Sequence, residues 1–309
     1  MNPDIRNESQ NKILITGGLG FIFSYVTEYF VQKKWDVVVI DNESAGSHPE
    51  IIDGSFKYYK MDVSNPDVID VIREEAPDYV IHAAAISDVD HSIREPYDTF
   101  KKNIMANLNV FEACHILESL KKFIYISTDE VYGECEHSKK EDEIIFPKNP
   151  YSGSKAVGSL LRMVYDNTYQ ELRDKTAETR FCNVFGPRQD KRKIMPLIKH
   201  AIETGIPIPV HNNGTGYREY IYVKNIPLVI ELILLKGNRT YNITTNDGMS
   251  VADLIKHVEK VTGKKVPTYS HVRPGMDLKY QMDASRAHDE LGWNPAYSFE
   301  QGLKEYFLQ

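Results

Sequence analysis

The sequence predicts an α/β protein with a Rossmann-type doubly wound parallel sheet and a smaller mixed α/β domain. The first half of the chain alternates short apolar runs (KILIT, DVVVI, KFIYIS) with longer helical patterns. Strands that are apolar along their whole length need cover on both faces, as in a parallel sheet between layers of helices. A glycine-rich turn directly follows the first apolar run. This pattern predicts ligands beyond the carboxyl ends of the strands.

Five strands and three helices are predicted in the first half of the chain. The strands are residues 12–16, 36–40, 56–61, 79–83 and 122–127, and the helices are residues 21–33, 66–75 and 98–120. After Pro187 frequent prolines interrupt shorter helices and two isolated strands, at residues 240–244 and 266–270. We therefore divide the chain into residues 1–186, a dinucleotide-binding domain, and residues 187–309, mainly a substrate-binding domain from which some segments return to the first.

Composition excludes several classes of protein. The chain has 309 residues, of which 41% are hydrophobic and 26% charged, and its formal net charge is −7. This charge argues against a nucleic-acid-binding protein, which would present a basic face. The first twelve residues are polar, and no apolar run approaches membrane-spanning length. Cys114, Cys135 and Cys182 are widely spaced, so we expect neither a metal site nor disulfides, and a cytoplasmic location.

The turn after the first strand has the composition of a dinucleotide-binding turn. Its predicted contact residues are Gly17, Gly20, Phe21 and Ile22. Glycine is needed there because a Cβ would hold a pyrophosphate away from the helix N-terminus. Asp41 ends the second strand about 20 residues later, where a carboxylate accepts the ribose hydroxyls and repels a 2′-phosphate. Asn42, rather than an arginine, follows Asp41. The cofactor predicted is therefore NAD and not NADP.

Residues at the ends of the next two strands extend the predicted cofactor site. Asp62 and Val63 end the third strand and are expected beside the adenine. The fourth strand ends in Ala83, Ala84 and Ala85, which are small where a cofactor must pass close to the backbone. Packing of a helix on the sheet would explain these alanines equally well.

A tyrosine and a lysine four residues apart begin the helix after the fifth strand. Asn149 and Pro150 are typical of a helix cap and first helical position, so Tyr151 and Lys155 share one helix face. Such a pair can take a proton from an alcohol while hydride leaves the adjoining carbon. Free tyrosine has a pKa of about 10, and we expect the Lys155 cation and a positive nicotinamide ring to lower the pKa of Tyr151.

Asp129 and Glu130 follow Thr128 at the end of the fifth strand and form a second acid–base couple. An acidic pair immediately after a buried strand is seldom only a solvated loop. Simple alcohol oxidation does not need this couple. An enzyme with both couples is expected to oxidise a sugar and then to act on the ketone that it has made.

The chain resembles the extended short-chain dehydrogenase/reductase family and, within it, the nucleotide-sugar 4,6-dehydratases typified by the dTDP-glucose enzymes. The resemblance covers almost the full length and rests on TGGLGFI (16–22), AAISDVDHSI (84–93), STDEVYG (127–133), NPYSGSK (149–155), NVFGPR (183–188), GYREYIYV (216–223) and RPGMD (273–277). It implies diphosphate ligands at Asn183, Arg218 and Arg273, a basic residue near the phosphates at Lys193, and sugar-facing hydroxyls at Ser87 and Thr128. Arginine can bind phosphate through two parallel N–H bonds, which independently favours the two arginines over surface ion pairing.

The resemblance implies a nucleotide-diphosphate-hexose 4,6-dehydratase with tightly held NAD. Tyr151, with Lys155 and Thr128, takes the proton of the carbon-4 hydroxyl as hydride moves to NAD. Glu130 then removes the carbon-5 proton, Asp129 protonates the departing carbon-6 hydroxyl, and returning hydride gives a 4-keto-6-deoxy sugar. UDP-glucose, dTDP-glucose and UDP-N-acetylglucosamine all stay open as substrates. Relatives of this fold pair through two helices, here residues 98–120 and 151–172, so a homodimer is expected.

Three residues differ from the family pattern. Phe23 occupies the third glycine position of the turn, a position that serves helix–strand packing, so we expect a displaced helix with retained NAD binding. Ile86 and Asp88 stand where the dTDP-glucose enzymes commonly have Glu and His. These two residues flank Ser87, so the substituents of the sugar stay open.

Three other functions are compatible with the same fold. A nucleotide-sugar 4-epimerase usually has small residues at the positions of Asp129 and Glu130, and a nucleotide-sugar decarboxylase resembles Ser-Thr-Ser-Glu at this place. A non-catalytic NAD-sensing protein would be expected to lose Tyr151 or Lys155, and this chain has both.

Overall fold

The computed structural model describes residues 11–44, 46–271 and 278–309. Its strands are β1 (Lys12–Thr16), β2 (Asp36–Asp41), β3 (Lys57–Lys60), β4 (Tyr79–His82), β5 (Lys122–Thr128), β6 (Thr176–Phe181), β7 (Asn183–Phe185), β8 (Ile208–His211), β9 (Tyr217–Tyr222), β10 (Thr240–Ile243), β11 (Gly248–Ser250) and β12 (Thr268–His271). Its helices are α1 (Phe21–Gln32), α2 (Val68–Glu75), α3 (Val89–Arg94), α4 (Pro96–His115), α5 (Pro150–Thr168), α6 (Ile194–Thr204), α7 (Ile226–Lys236), α8 (Val251–Thr262), α9 (Ser285–Leu291) and α10 (Phe299–Leu308).

The main sheet has seven parallel strands in the order β10-β6-β5-β4-β1-β2-β3. Ile13 and Ile15 of β1 belong to the apolar core on one face, and Leu14 belongs to the core on the other. Both faces are therefore buried, as the uniformly apolar strands require. The predicted doubly wound α/β class is confirmed. The strand order reverses between β1 and β4, which opens a crevice at the carboxyl ends of these strands.

A smaller region is built on two short sheets, with strand orders β11-β9-β7 and β12-β8. Cys182 alone separates β6 of the main sheet from β7 of the smaller one. Because the chain passes from one sheet to the other at this point, residues just after β6 lie between the two regions. The strand β7 lies before residue 187 but belongs to the smaller sheet. The division of the chain between residues 186 and 187 stays a prediction.

The structure differs from three of the predicted elements. Residues 240–244 were expected as an isolated strand, but β10 pairs with β6 and forms an edge of the main sheet. Residues 266–270 were also expected as an isolated strand, but β12 pairs with β8. The helix expected at residues 98–120 is α4, which begins at Pro96 and ends at His115. It ends early because the apolar residues beyond it, Leu117 and Leu120, pack into the core without helical geometry. No helix in the described part of the chain is long and apolar enough to cross a membrane.

Close packing of α5 on β5 positions the helix that begins with Tyr151. The Tyr125 hydroxyl of β5 is buried and donates a hydrogen bond to the Lys155 carbonyl at 3.0 Å. Gly158, one turn further along α5, lies directly over the same tyrosine, and a Cβ at this position would overlap the hydroxyl and the ring carbon that bears it. Glycine is required because α5 could not otherwise approach the strand this closely.

The substitution Gly158→Ala should destabilise the protein by about 1–3 kcal/mol, although alanine is the better helix former, because overpacking forces α5 away from Tyr125. Urea unfolding measures the change. Asn167→Ala, at an exposed position of the same helix, should stay within about 0.5 kcal/mol of the wild type. A Gly158→Ala protein as stable as the wild type would contradict this packing argument.

Candidate active site

A cavity of about 670 Å³ opens along the carboxyl ends of β1, β2, β4 and β5. Of the residues predicted from the sequence, it is lined by Gly17, Gly20, Phe21, Ile22, Asp41, Asn42, Asp62, Val63, Ala83, Ala84, Ala85, Ser87, Thr128, Glu130, Tyr151, Lys155, Asn183 and Lys193. A second cavity of about 170 Å³ shares Asn183 and Lys193 with the first and is also lined by Arg218. Asp129 is buried beside Glu130 and contributes no surface to either cavity. Arg273 lies outside the described residues.

The glycine-rich turn is held in place by close contact with the end of β4. Gly17 has a φ of +70°, and a Cβ there would come within 2.8 Å of the Ala84 backbone. Gly20 caps α1, and Phe21 begins the helix directly after it. Phe23 is buried in the core and also lines the cavity. The turn therefore leaves the N-terminus of α1 facing the cavity, an arrangement suited to a pyrophosphate.

Asp41 is buried and joins the turn to the segment that follows β2. One carboxylate oxygen accepts a hydrogen bond from the Leu19 N–H at 3.1 Å, and the other accepts from the Glu43 N–H and the Ser47 hydroxyl. A carboxylate has about four acceptor positions, and three are used. Asp41 can therefore still accept one hydrogen bond from a ribose hydroxyl, and it also lines the cavity. The acidic side chain, the glycine turn and the helix N-terminus together fit a dinucleotide without a 2′-phosphate.

The helix α5 begins with a capping box. The Asn149 side chain accepts from the Ser152 N–H at 2.8 Å, and the Ser152 hydroxyl lies 3.3 Å from the Asn149 N–H. One turn into the helix, the buried Lys155 ammonium donates to the Ile126 carbonyl at 2.8 Å. Burial lowers the pKa of Lys155 to about 8, and the Glu178 carboxylate opposes this change.

Burial and neighbouring charges determine the pKa of Tyr151. Burial raises it strongly, the Glu130 and Asp129 carboxylates raise it further, and a hydrogen bond with the Thr128 hydroxyl lowers it. Without the cofactor, burial and the two carboxylates thus hold the phenol in its neutral form. The expectation that the Lys155 cation and a positive nicotinamide ring together lower this pKa includes the bound cofactor and stays a prediction.

Thr128, Asp129 and Glu130 form a compact polar group at the carboxyl end of β5. The Thr128 hydroxyl donates to Asp129 Oδ1 at 3.1 Å and accepts from the Glu130 N–H at 3.3 Å. Burial raises the pKa of Asp129 to about 7, and the neighbouring Glu130 carboxylate adds to the rise, while the Arg218 cation opposes it. Asp129 therefore holds a proton for part of the time at neutral pH. One neutral and one charged carboxyl can coexist beside Tyr151, which is what a proton donor and a proton acceptor require.

A buried network behind the acidic turn was not predicted from the sequence. The Tyr132 hydroxyl accepts from Arg180 Nη1 at 2.7 Å and donates to Asn242 Oδ1 at 2.8 Å. The Arg180 guanidinium also donates to Glu178, whose carboxylate accepts from Ser159 of α5 at 2.7 Å. These contacts tie the turn of Asp129–Tyr132 to β6, β10 and α5. Their residues are distant in sequence, so no local motif could have indicated them.

Charged residues from both regions line the two cavities near Asn183. The Arg218 guanidinium stacks on the Tyr280 ring at 4.3 Å and donates to the Tyr217 carbonyl at 2.7 Å. Arg192 forms an ion pair with Asp88 at 2.5 Å, and both residues line the larger cavity. Two residues of the basic triplet at 191–193 therefore have different surroundings. Arg192 is paired with acidic side chains, whereas Lys193 lines both cavities.

Within residues 11–44, 46–271 and 278–309, no group of three or more His, Cys, Asp or Glu side chains could hold a metal ion. Cys114, Cys135 and Cys182 are free thiols and are buried. Of the three cysteines, Cys182 lines the larger cavity.

Comparison with known proteins gives a family and two kinds of structural neighbour. Residues 14–306 match the GDP-mannose 4,6-dehydratase family. The chain is 33% identical over 311 residues to the trifunctional UDP-glucose 4,6-dehydratase/UDP-4-keto-6-deoxy-D-glucose 3,5-epimerase/UDP-4-keto-L-rhamnose-reductase of Arabidopsis thaliana. The match covers 95% of this chain and 46% of that protein, so the chain spans about half the length of this relative.

Two solved structures are similar along nearly the whole chain. One is the UDP-glucose 4-epimerase of Thermotoga maritima with UDP-glucose, at 32% identity and a TM-score of 0.89, covering 96% of this chain and 98% of that one. The other is the dTDP-glucose 4,6-dehydratase of Bacillus anthracis in complex with NAD, at 26% identity and a TM-score of 0.87, covering 96% of each chain. Enzymes of both reaction types therefore share this fold, and the fold by itself does not distinguish the two reactions.

The raised pKa of Asp129 predicts a pH-dependent stability. Between the ordinary aspartate pKa of about 3.9 and a folded-state value of about 7, the folded protein binds a proton that the unfolded chain has released, so this group makes the protein less stable as pH rises. Asp129→Asn removes the effect. Its stability relative to the wild type should rise by about 2 kcal/mol between pH 5.5 and pH 8.

Urea unfolding of both proteins at the two pH values checks this expectation. Glu219, whose pKa burial also raises to about 7, is present in both proteins, so its contribution cancels in the difference. A difference between the two proteins that does not change with pH would mean that Asp129 is ionised throughout this range.

Proposed function

The chain belongs to the GDP-mannose 4,6-dehydratase family of extended short-chain dehydrogenases/reductases, and from this premise we propose that it is an NAD-dependent nucleotide-diphosphate-hexose 4,6-dehydratase. The observation that carries the proposal is the pair Asp129 and Glu130 beside Tyr151. The two carboxyls lie close enough to raise the pKa of the phenol, and one of them has a pKa of about 7. Oxidation at carbon 4 needs a single base, Tyr151, whereas elimination of water needs an additional acid and base.

Tyr151 acts first, as the base that takes the proton of the carbon-4 hydroxyl. Tyr151 must be ionised before it accepts this proton, and the transfer converts the phenolate to the phenol. The charge of Lys155 favours the phenolate beforehand, and the Thr128 hydroxyl, which hydrogen-bonds to Tyr151, orients it. NAD, when bound, supplies the hydride acceptor at carbon 4 and the donor at carbon 6, and its positive ring favours the phenolate. A general base of this kind contributes about 10² to 10⁴ in rate.

Glu130 and Asp129 then carry the elimination. The carbon-4 ketone acidifies the proton at carbon 5, which the ionised Glu130 removes. Asp129, protonated for part of the time at neutral pH, donates its proton to the carbon-6 hydroxyl as water leaves. The product is a 4-keto-6-deoxy sugar. Glu130 is ionised again when it returns its proton to carbon 5, and passage of one proton from Tyr151, which gained it from the carbon-4 hydroxyl, to Asp129, which lost one, restores the starting states.

The binding residues follow the two halves of the cavity. In this proposal NAD is held by Gly17, Gly20, Phe21, Ile22, Asp41, Asn42, Asp62, Val63, Ala83, Ala84, Ala85, Tyr151 and Lys155. The nucleotide sugar contacts Ser87 and Thr128 with its hexose, and Asn183, Lys193 and Arg218 with its diphosphate. Stacking on Tyr280 supports the role of Arg218, since a guanidinium fixed on a ring is preorganised for two parallel bonds to phosphate. Arg273 is proposed for the same role from the resemblance alone.

A 4-epimerase is the second candidate, and it is favoured by the TM-score of 0.89 to the Thermotoga maritima enzyme. The products of the two reactions differ in mass. Incubation with UDP- and dTDP-hexoses, followed by mass spectrometry, should give a product lighter than the substrate by one water. A product of unchanged mass and inverted carbon 4 would favour the epimerase.

Substitution of the two bases should separate the half-reactions. Tyr151→Phe should abolish oxidation, so that neither reduced cofactor nor water loss is seen. Glu130→Gln should retain oxidation and lower water loss by about 10² to 10⁴, so that reduced cofactor and a 4-keto hexose with its carbon-6 oxygen accumulate. Absorbance of the reduced nicotinamide and mass spectrometry measure the two steps. Water loss by Glu130→Gln at nearly the wild-type rate would exclude Glu130 as the elimination base.

We also propose a homodimer in a reducing, cytoplasmic compartment. The buried free cysteines support the compartment. Exposed apolar side chains on α4 and α5 support the dimer: Tyr97 and Met105 on the first helix, and Leu160, Met163 and Val164 on the second. Apolar side chains grouped in this way on a helix surface are typical of a protein–protein interface.

The double substitution Leu160→Glu/Met163→Glu should therefore give a monomer, because it places charges in an apolar contact. Light scattering at micromolar concentration measures the mass. Ile206→Glu, an equally exposed site outside these helices, should leave the dimer intact. A wild-type protein that is monomeric under these conditions would overturn the dimer proposal.

A further inference from the structure

Asn149 connects the two catalytic groups of the proposed reaction. Its Oδ1 accepts from the Ser152 N–H at 2.8 Å, and its Nδ2 donates to Glu130 Oε2 at 2.9 Å. The orientation of the amide is fixed by its partners, because an N–H group needs an acceptor and a carboxylate needs a donor. One side chain thus caps the helix that carries Tyr151 and holds the carboxylate that follows β5.

The position of Asn149 separates it from the residues that touch substrate. Glu130 and Tyr151 both line the larger cavity, and Asn149 lines neither cavity. It lies behind Glu130, half-buried. Its chemistry is therefore confined to orienting its neighbours, and the bond to a charged acceptor is of the stronger, charge-assisted kind.

The cap itself does not require asparagine. Serine and aspartate cap helices about equally well, because each offers an oxygen to the N–H group of the first turn. Only asparagine combines that oxygen with an N–H donor that can bind a carboxylate. Helix formation therefore does not need the N–H donor of Asn149. This donor binds Glu130, the proposed carbon-5 base.

We propose that Asn149 is a positioning residue for the elimination step, and that its amide holds the Glu130 carboxylate at a fixed position relative to Tyr151. This role rests on the proposed dehydratase function. Oxidation at carbon 4 uses Tyr151 and Lys155 and does not need the bond. Proton removal at carbon 5 does need it, because Glu130 and Tyr151 act in turn on adjoining carbons of one sugar, and small displacements of a reacting group are costly in rate.

The test compares two variants that retain the helix cap. Asn149→Ser keeps the oxygen for Ser152 and removes the donor to Glu130. Asn149→Asp also keeps the oxygen and places a second negative charge against the glutamate. Carbon-4 oxidation is followed by the absorbance of reduced cofactor in a single turnover. The elimination is followed by exchange of the carbon-5 proton in D₂O and by water loss, both measured by mass spectrometry.

Asn149→Ser should leave oxidation within about 3-fold of the wild type and slow carbon-5 exchange and water loss by about 10-fold to 100-fold. Asn149→Asp should slow them further. Ser298→Ala, which removes the capping box of α10 at a residue that lines neither cavity, is the stability control. It should lower the melting temperature as a lost cap does without changing the ratio of the two half-reactions.

Two results would overturn the role of Asn149. In the first, Asn149→Ser eliminates water at the wild-type rate. In the second, oxidation and elimination fall together, in step with the melting temperature, as they would for a purely structural cap. A wild-type enzyme that removes no water from any UDP- or dTDP-hexose would instead overturn the proposed function, and the role of Asn149 with it.

Discussion

Removal of ionisable side chains from water near the carboxyl end of β5 is the constraint on which the rest of the site depends. Asp129 and Lys155 are buried, and Tyr151 and Glu130 are half-buried beside them. Burial disfavours charge, so it moves the pKa of the lysine down and those of the phenol and the aspartic acid up. Asp129 and Lys155 are therefore brought close to neutrality, with pKa values of about 7 and about 8, whereas the pKa of the Tyr151 phenol is moved further away from it.

The surrounding structure stabilises this arrangement through polar contacts. Lys155 donates to the Ile126 carbonyl, and the Thr128 hydroxyl bonds to Asp129. Behind them, Tyr132 and Arg180 anchor the acidic turn to β6. A buried charge without such partners would cost several kcal/mol, so these bonds are a condition of the site and its geometry.

Much of the fold could be predicted from the sequence because its signals are local. Uniform apolar runs gave β1 to β5, and the turn with Gly17 gave the cofactor side of the cavity. Pairing of β10 with β6 could not be predicted, since a parallel neighbour is chosen by contacts between residues more than sixty positions apart. The site, like the fold, could be predicted only where its signals are local. Motifs gave the residue types, whereas the pKa of Tyr151 depends on burial, which no motif gives, and on its position beside Asp129 and Glu130 of a separate motif.

The central claim is that the two couples act in sequence on one sugar, and isotope transfer tests it most directly. A nucleotide hexose deuterated at carbon 4 is incubated with the enzyme in ordinary water, and the product is analysed by NMR and mass spectrometry. The expected product is a 4-keto sugar that has lost one water, with the deuterium at carbon 6. Deuterium that remains at carbon 4 of an inverted sugar, with all oxygens retained, would contradict this claim.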